Sequence, residues 1–149
     1  MLNIRETKSK DLSDLYDLYM NHLTKNPPKE FQDIEKWAEL LEKLIDDVNY
    51  HILVGEIDTK VVSSVTLVVI NNLTHGLRPY ALIENVVTNE SYRNKGYASG
   101  LISHACRIAE NSGCYKIMLM TGSKKESTLK FYENCGFNKN DKTGFVKWI

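Results

Sequence analysis

The 149-residue sequence lacks several features that mark specialised classes of protein. It has no excess charge of either sign, because 19 Lys and Arg residues balance 19 Asp and Glu residues. A general nucleic-acid binder usually carries a basic excess or stripe, and attraction to anionic membranes by charge needs one too. No apolar run approaches the ~20 residues that a membrane-spanning helix requires. We therefore expect no nucleic-acid partner and no membrane partner.

Cysteine is also scarce. The three cysteines, Cys106, Cys114 and Cys135, are an odd number and form no C-x-x-C pair, which argues against a disulfide framework and a zinc ribbon. The four histidines are scattered without metal-ligand spacing, so no metal is expected. The first residues lack the charged-then-apolar layout of a signal peptide. The expected compartment is the cytoplasm.

What the sequence does contain is a globular composition, with 42% hydrophobic and 26% charged residues. A chain of this length can bury roughly 68–70% of its unfolded surface, so one domain over residues 1–149 is expected. Hydrophobic periodicity predicts helices from Ser9, over Ile34–Val48 after an Asn26–Pro28 loop, from Ala98 towards Gly113, and after an S-x-x-E capping box at Ser123–Glu126. The predicted strands are Leu2–Glu6, Tyr50–Ile57, Val61–Ile70, Tyr80–Thr88, a doubly buried Tyr115–Met120, and closing strands at Phe137 and Gly144–Ile149. Antiparallel strands followed by a β-α-β crossover indicate a three-layer α+β or α/β fold.

The segment between the fourth strand and the long helix has the composition of a phosphate-binding loop. Backbone amides at a helix start lack intrahelical partners and carry partial positive charge. Gly96 and Ala98 are small enough to let an anion approach them, while Arg93 and Lys95 add charge. The spacing matches neither common nucleotide loop, which disfavours an NTPase or a Rossmann dehydrogenase. The loop therefore predicts a pyrophosphate cradle; the simpler alternative is a solvated basic turn.

This loop and a second motif together resemble the GNAT superfamily of acetyl-CoA-dependent N-acetyltransferases. The loop fits the family pattern R/Q-x-x-G-x-G/A through Arg93, Gly96 and Ala98. The later pattern F/L-Y-x-x-x-G-F is met by Phe131, Tyr132, Gly136 and Phe137. The core looks closest to glucosamine-6-phosphate N-acetyltransferases, through Ile83–Val87 and Cys114–Ile117, although Asn85 stands where that subfamily usually has Asp.

The resemblance implies a fold, a co-substrate and an assembly. The fold would be a mixed, mostly antiparallel central sheet with helices on both faces and a β-α-β cofactor-binding core. Acetyl-CoA would be the co-substrate, with its pantetheine arm paired to the strand edge at Val86, Val87 and Thr88. Its pyrophosphate would meet the segment Arg93, Asn94, Lys95, Gly96, Tyr97, Ala98 and Ser99. The sugar-phosphate relatives also imply a homodimer.

Two residues are candidates for the chemistry. An alkyl ammonium has a pKa near ~10.4, so a base must accept its proton before it attacks. Glu84 interrupts an otherwise apolar strand and could serve, directly or through water; the alternative is a solvated or paired carboxylate. Tyr132 would be the acid that protonates the leaving thiolate, as its matching residue is in the family, unless it is a core tyrosine. The main-chain amide of Val86 or Val87 would polarise the acetyl carbonyl.

These observations favour an N-acetyltransferase that moves an acetyl group to a primary amine by direct transfer in a ternary complex. Two other readings stay open: a catalytically silent CoA-binding regulatory module, and a protein-interaction domain. The acceptor is also open, because neither the first two helices nor the Asn71–Pro79 loop contains a recognisable substrate motif. Amino sugar phosphates, polyamines, other small amines and protein amines all fit.

Overall fold

A computed structural model describes residues 1–23 and 33–149, so the predicted Asn26–Pro28 loop lies outside the described residues. In these ranges the chain forms a five-stranded sheet whose strands lie in sequence order. The strands are β1 (Asn3–Glu6), β2 (Tyr50–Ile57), β3 (Lys60–Ile70), β4 (Tyr80–Thr88) and β5 (Ile117–Leu119). The first four pair antiparallel, and β5 pairs parallel to β4.

The helices are distributed over both faces of this sheet. They are α1 (Leu12–Asp17), α2 (Ile34–Asp46), α3 (Tyr97–Asn111) and α4 (Glu126–Asn134). A 3-10 turn (Ser9–Asp11) precedes α1 and a π-helical segment (Leu18–Leu23) follows it, and a further 3-10 turn lies at Glu90–Tyr92. Asp33 begins α2 by accepting hydrogen bonds from the Glu35 and Lys36 amides. The mixed sheet, its helices on both faces and the β4–α3–β5 crossover confirm the predicted fold class.

A hydrophobic core lies between the sheet and the helices on each of its two faces. Successive strand residues point to opposite faces, and in β2 the buried Leu53 lies in one core while Ile52 and Val54 lie in the other. The core beneath α3 and α4 consists of Leu53, Val65, Leu67, Ala81, Ile83, Leu101, Ile102, Ala105 and Ala109. The core beneath α1, the π-helical segment and α2 consists of Leu15, Leu18, Leu41, Ile52, Val54, Val61 and Val87.

A charged cluster ties the first helical turn to the sheet. The Arg5 guanidinium donates to both carboxylate oxygens of Asp11, at 2.6 and 2.9 Å, and also to Glu56. Burial alone would raise the pKa of Asp11, but the hydrogen bonds from Arg5 and the Lys8 amide and the Arg5 charge outweigh it, so this pKa lies below its usual value. The carboxylate of Asp11 is thereby kept charged although only 4% of the residue is exposed.

Several local predictions were wrong at the carboxyl-terminal end. The strand expected to be buried on both faces is the half-buried β5, which ends the sheet within the described residues. No strand forms at Phe137 or Gly144–Ile149. The expected capping box does not form either, because Lys125 begins α4, and Ser123 instead accepts the Lys125 amide at 3.3 Å in the preceding turn.

Candidate active site

A β-bulge interrupts β4 at the predicted catalytic segment. Thr66 of β3 pairs with Glu84 and Ser64 pairs with Val87, so two residues of β4 lie opposite the single residue Val65. Asn85 takes up the extra length with a φ of +52°, a conformation that Asn tolerates better than most residues. Bulges re-aim backbone groups and often lie next to active sites. Val86 consequently has no partner in β3, which makes its amide a better candidate than that of Val87 for polarising a carbonyl.

Just past the paired residues, β4 and β5 separate. They pair only between Ala81–Ile83 and Ile117–Leu119, so within the described part of the chain Glu84–Thr88 has no strand on its β5 side. This open edge can accept an extended ligand by backbone pairing. The Val87 carbonyl faces the other side of β4, because it accepts a hydrogen bond from the hydroxyl of Ser63 in β3 at 2.9 Å. The free capacity of the predicted contact residues is therefore smaller at Val87 than at Val86.

The predicted cradle begins α3. Gly96 has φ +78° and is the first residue before the helix, and the first intrahelical bond runs from the Gly100 amide to the Gly96 carbonyl at 3.0 Å. The amides between these residues therefore point out of the helix end without intrahelical partners. A Cβ added at Gly96 would have the Ser99 hydroxyl, 3.8 Å away, as its nearest neighbour. The backbone at Gly96 is therefore uncrowded on the side that a Cβ would occupy.

Two cations and an amide side chain directly precede this helix start in the chain. Arg93, Asn94 and Lys95 are exposed, and Arg93 Nε donates to the Thr88 carbonyl at 3.1 Å. The Lys95 ammonium lies 5.2 Å from the centre of the Tyr92 ring. Arg93 thus joins the open edge of β4 directly to the cradle.

A groove between α3 and α4 continues from the cradle, a feature that the sequence analysis missed. It encloses about 290 Å³ and is lined by Ser99, Ile102, Ser103, Cys106, Asn134 and Cys135. Burial raises the pKa of the thiols of Cys106 and Cys135, which keeps both protonated and poorly nucleophilic. No signal in the sequence identifies these residues, because the packing of two helices brings them together.

The two candidate catalytic residues approach the opening between β4 and β5 from different layers. Glu84 shares the α1 and α2 face with its ladder partner Thr66, whereas Tyr132 packs against the core under α3. Burial raises the pKa of Tyr132, with smaller contributions from Cys135 and from Glu84. The phenol therefore stays protonated at neutral pH and lies within electrostatic reach of Glu84. In the described part of the structure, Glu84 forms no ion pair.

Comparisons with known proteins bear directly on this arrangement. Residues 12–137 match the model of the acetyltransferase (GNAT) family. The chain belongs to this family. It is 32% identical over 143 residues to the glucosamine 6-phosphate N-acetyltransferase of Trypanosoma brucei brucei, covering 95% of this chain and 92% of that protein. The predicted resemblance is thus confirmed, and the chain is an acetyltransferase.

Solved structures show the same GNAT fold. A "putative acetyltransferase" from Agrobacterium tumefaciens strain C58 superimposes with a TM-score of 0.90 at 35% identity over 99% of both chains. A Trypanosoma brucei acetyltransferase gives 0.78 at 28% identity, over 99% of this chain and 100% of that one. Across residues 1–23 and 33–149, no cluster of three or more metal-ligating side chains occurs, and no helix has the length and apolar character for a membrane span.

Proposed function

We propose that this GNAT enzyme binds acetyl-CoA and transfers the acetyl group directly to a primary amine in a ternary complex. One observation carries the proposal: the open edge Glu84–Thr88 leads, through the Arg93–Thr88 contact, to the unpartnered amides of α3. A long ligand with amide groups in the middle and a pyrophosphate at one end fits that sequence of features. A module that only binds CoA would not need the carboxylate of Glu84, which forms no ion pair among residues 1–23 and 33–149.

The residues would hold acetyl-CoA in three parts. The pyrophosphate would lie against the amides of Tyr97, Ala98 and Ser99, with the cations of Arg93 and Lys95 beside it. The pantetheine arm would pair with the edge of β4 near Val86 and Thr88. The remainder of the acetyl-CoA molecule would lie against the groove between α3 and α4.

Transfer then needs three actions from the protein. Acetyl-CoA supplies a thioester whose carbonyl carbon the amine attacks, so that an N–C bond forms and the C–S bond breaks. Glu84, directly or through water, accepts the proton that the amine loses. The Val86 amide donates to the acetyl oxygen as negative charge develops there. Tyr132 donates its proton to the departing sulfur and recovers one from solvent.

For the acceptor we propose an amino sugar phosphate, on the strength of the Trypanosoma brucei relative. The test is release of CoA thiol from acetyl-CoA with glucosamine 6-phosphate, glucosamine, spermidine and an alkyl amine in parallel. Saturable release with glucosamine 6-phosphate supports the proposal. Tight binding of acetyl-CoA without release on any amine would favour the silent regulatory module instead.

The cradle has an internal control for its own test. Gly96 and Gly113 both have positive φ, +78° and +77°, and neither has a neighbour that crowds an added Cβ. Gly96→Ala and Gly113→Ala should therefore lose similar stability, about 1–2 kcal/mol. Only Gly96→Ala places a methyl group at the cradle. We expect its affinity for acetyl-CoA, measured by calorimetry, to fall at least tenfold, about 1.4 kcal/mol, and equal affinities in the two variants would contradict the assignment.

We further propose that the enzyme works as a homodimer. The segment 144–149 carries Phe145 and Trp148, which are 90% and 91% exposed. It begins beside the end of β5, since a Cβ at Gly144 would lie 3.2 Å from the Met120 sulfur. Each chain thus offers an exposed apolar segment of strand-like composition and a β5 edge that no other described strand pairs with, and two copies could pair the two reciprocally.

The dimer is tested by light scattering on the full chain. Phe145→Lys together with Trp148→Lys should shift the mass from two chains to one. Leu73→Lys is the control, because Leu73 is equally exposed, at 88%, but lies in the loop after β3. A single-chain mass for the wild-type enzyme at assay concentration would contradict the proposal.

A further inference from the structure

The sheet face beneath α1 and α2 is only partly covered, and the boundary passes Glu84. One row of paired residues across β2, β3 and β4 contains Ile52, Thr66 and Glu84. The next row contains Tyr50, Val68 and Leu82. Ile52 and Thr66 are buried, whereas all three residues of the second row are half-buried. The helices therefore leave the second row accessible, directly beside the carboxylate.

This accessible row has the dimensions of a small-molecule site. Tyr50 and Glu84 lie two strands apart and two residues apart along the strands, which is roughly 10 Å across and 7 Å along the sheet. A phenol and a carboxylate on strands at this separation are far enough apart for a small molecule to lie between them. Val68 and Leu82 form its apolar floor.

Tyr19 supports one side of this site. The π-helical segment carries Tyr19 to the sheet, where its hydroxyl lies 3.3 Å from the Ser64 hydroxyl and its ring lies 6.3 Å from the Trp37 ring. Burial raises the pKa of Tyr19. Burial also raises the pKa of Tyr50, and the neighbouring Tyr19 and Glu84 raise it further. Both phenols are therefore neutral at physiological pH. The Tyr19 hydroxyl is committed to Ser64, so Tyr50 provides the hydroxyl that can serve a ligand.

We propose that Tyr50 determines acceptor specificity: its hydroxyl binds a hydroxyl group of the acceptor while Glu84 receives the reacting amine. The inference rests on the proposed acetyl transfer and deepens it, because it selects amines that carry hydroxyl groups, such as amino sugars, over plain alkyl amines. A site that hydrogen-bonds a substrate hydroxyl discriminates strongly against an analogue without one, since its own polar group is then left unpaired. The apolar floor of Val68 and Leu82 fits the same class of acceptor, because a sugar ring has apolar C–H groups as well as hydroxyl groups.

The test compares Tyr50→Phe with the wild type on two acceptors, glucosamine 6-phosphate and cyclohexylamine. We expect kcat/KM for the amino sugar to fall by about 10- to 100-fold, mainly through KM, with cyclohexylamine changed less than threefold. That loss corresponds to about 1.4–2.8 kcal/mol. Tyr80→Phe is the matched control, because Tyr80 is also the first residue of a strand but packs against Tyr115 and Lys116.

The outcomes separate the inference from the function on which it rests. If the wild-type enzyme acetylates neither amine nor any other acceptor, the proposed function fails and the inference fails with it. If it acetylates the amino sugar but Tyr50→Phe retains the wild-type preference, only the inference is overturned. An equal loss on both acceptors also overturns it, since that result assigns Tyr50 a purely structural role.

Discussion

Deletion of Asn85 tests whether the bulge in β4 exists for catalysis. In the structure, Glu84 faces Thr66 and Val87 faces Ser64, with Asn85 and Val86 between them opposite Val65 alone. Removing Asn85 leaves a regular ladder in which Val86 pairs with Val65. Opposed residues of an antiparallel pair share a face, so Glu84 and Val87 stay under the same helices and Val86 stays in the other core. The deletion therefore removes the bulge without inverting any side chain.

The expected effect on stability is small and favourable. The positive φ of Asn85 costs an ordinary residue about 1–2 kcal/mol, and Asn less. The restored pair Val65–Val86 falls on a non-hydrogen-bonded position of the ladder, because Val65 lies on the same side of β3 as Val69, whose amide donates to Asn49 before β2, so the deletion adds no backbone hydrogen bond. We expect the free energy of unfolding to stay the same or to rise by about 1 kcal/mol. Activity should move in the opposite direction, because the deletion changes the direction of the Val86 amide, and loss of one aligned oxyanion donor usually costs about 10²- to 10³-fold in kcat.

The assay measures urea unfolding and CoA thiol release on the same preparations. Asn85→Gly is the matched control: it keeps the residue count and the bulge, and glycine adopts this φ without strain. The deletion should be stable and nearly inactive, whereas Asn85→Gly should be stable and active. A stable deletion variant with wild-type kcat would refute the reasoning, because the bulge would then contribute nothing to polarisation of the acetyl carbonyl.

Three further predictions concern other parts of the molecule. Tyr132→Phe should lower kcat and kcat/KM together by about 10- to 10³-fold with acetyl-CoA affinity unchanged; full kcat would return the residue to a packing role. Asp11→Asn should cost about 1.5–3 kcal/mol of unfolding free energy at pH 7, because it removes the charge-assisted hydrogen bonds between Arg5 and Asp11 and leaves Glu56 as the carboxylate partner of Arg5. Since the pKa of Asp11 is lowered in the fold, its stabilisation is present above the ordinary carboxyl pKa and lost as the pH falls through the folded value. The unfolding free energies of the wild type and of Asp11→Asn, measured in urea at a series of pH values, should therefore begin to converge as the pH falls below about 4. Thr59, a β-branched residue with a φ of +69° in the β2–β3 turn, should gain about 1 kcal/mol in urea unfolding when replaced by Gly, with activity unchanged.

The sequence predicted the central strands well because their limits are local. β2 and β4 have the predicted bounds, Tyr50–Ile57 and Tyr80–Thr88, since polar turns delimit two apolar runs. The start of α3 was also predictable, because Gly96 and the small residues after it follow a strand and a polar turn; its use as a pyrophosphate cradle stays a prediction. These signals need no knowledge of distant residues.

The remaining features depend on contacts that no local pattern contains. The bulge at Asn85 is defined by its register against β3, and the groove at Cys106 and Cys135 arises where two helices pack. The predicted strand Gly144–Ile149 has suitable residues, but composition does not say which sheet edge would receive it. Tyr50 escaped notice for the same reason: its importance comes from Glu84, two strands away.

The order of the strands has a consequence for how the protein is made. β1 to β4 are neighbours in the sheet in the same order as in the chain, and β2, β3 and β4 are joined by short connections. The connection from Glu6 to Tyr50 contains α1 and α2, and the connection from Thr88 to Ile117 contains α3 and joins the parallel pair β4 and β5. Because chains emerge from the ribosome amino-terminal end first, the four antiparallel strands β1 to β4 can pair before α3 and β5 have been synthesised. The half of the protein that carries Glu84 can thus take shape before the half that carries the cradle and Tyr132 exists.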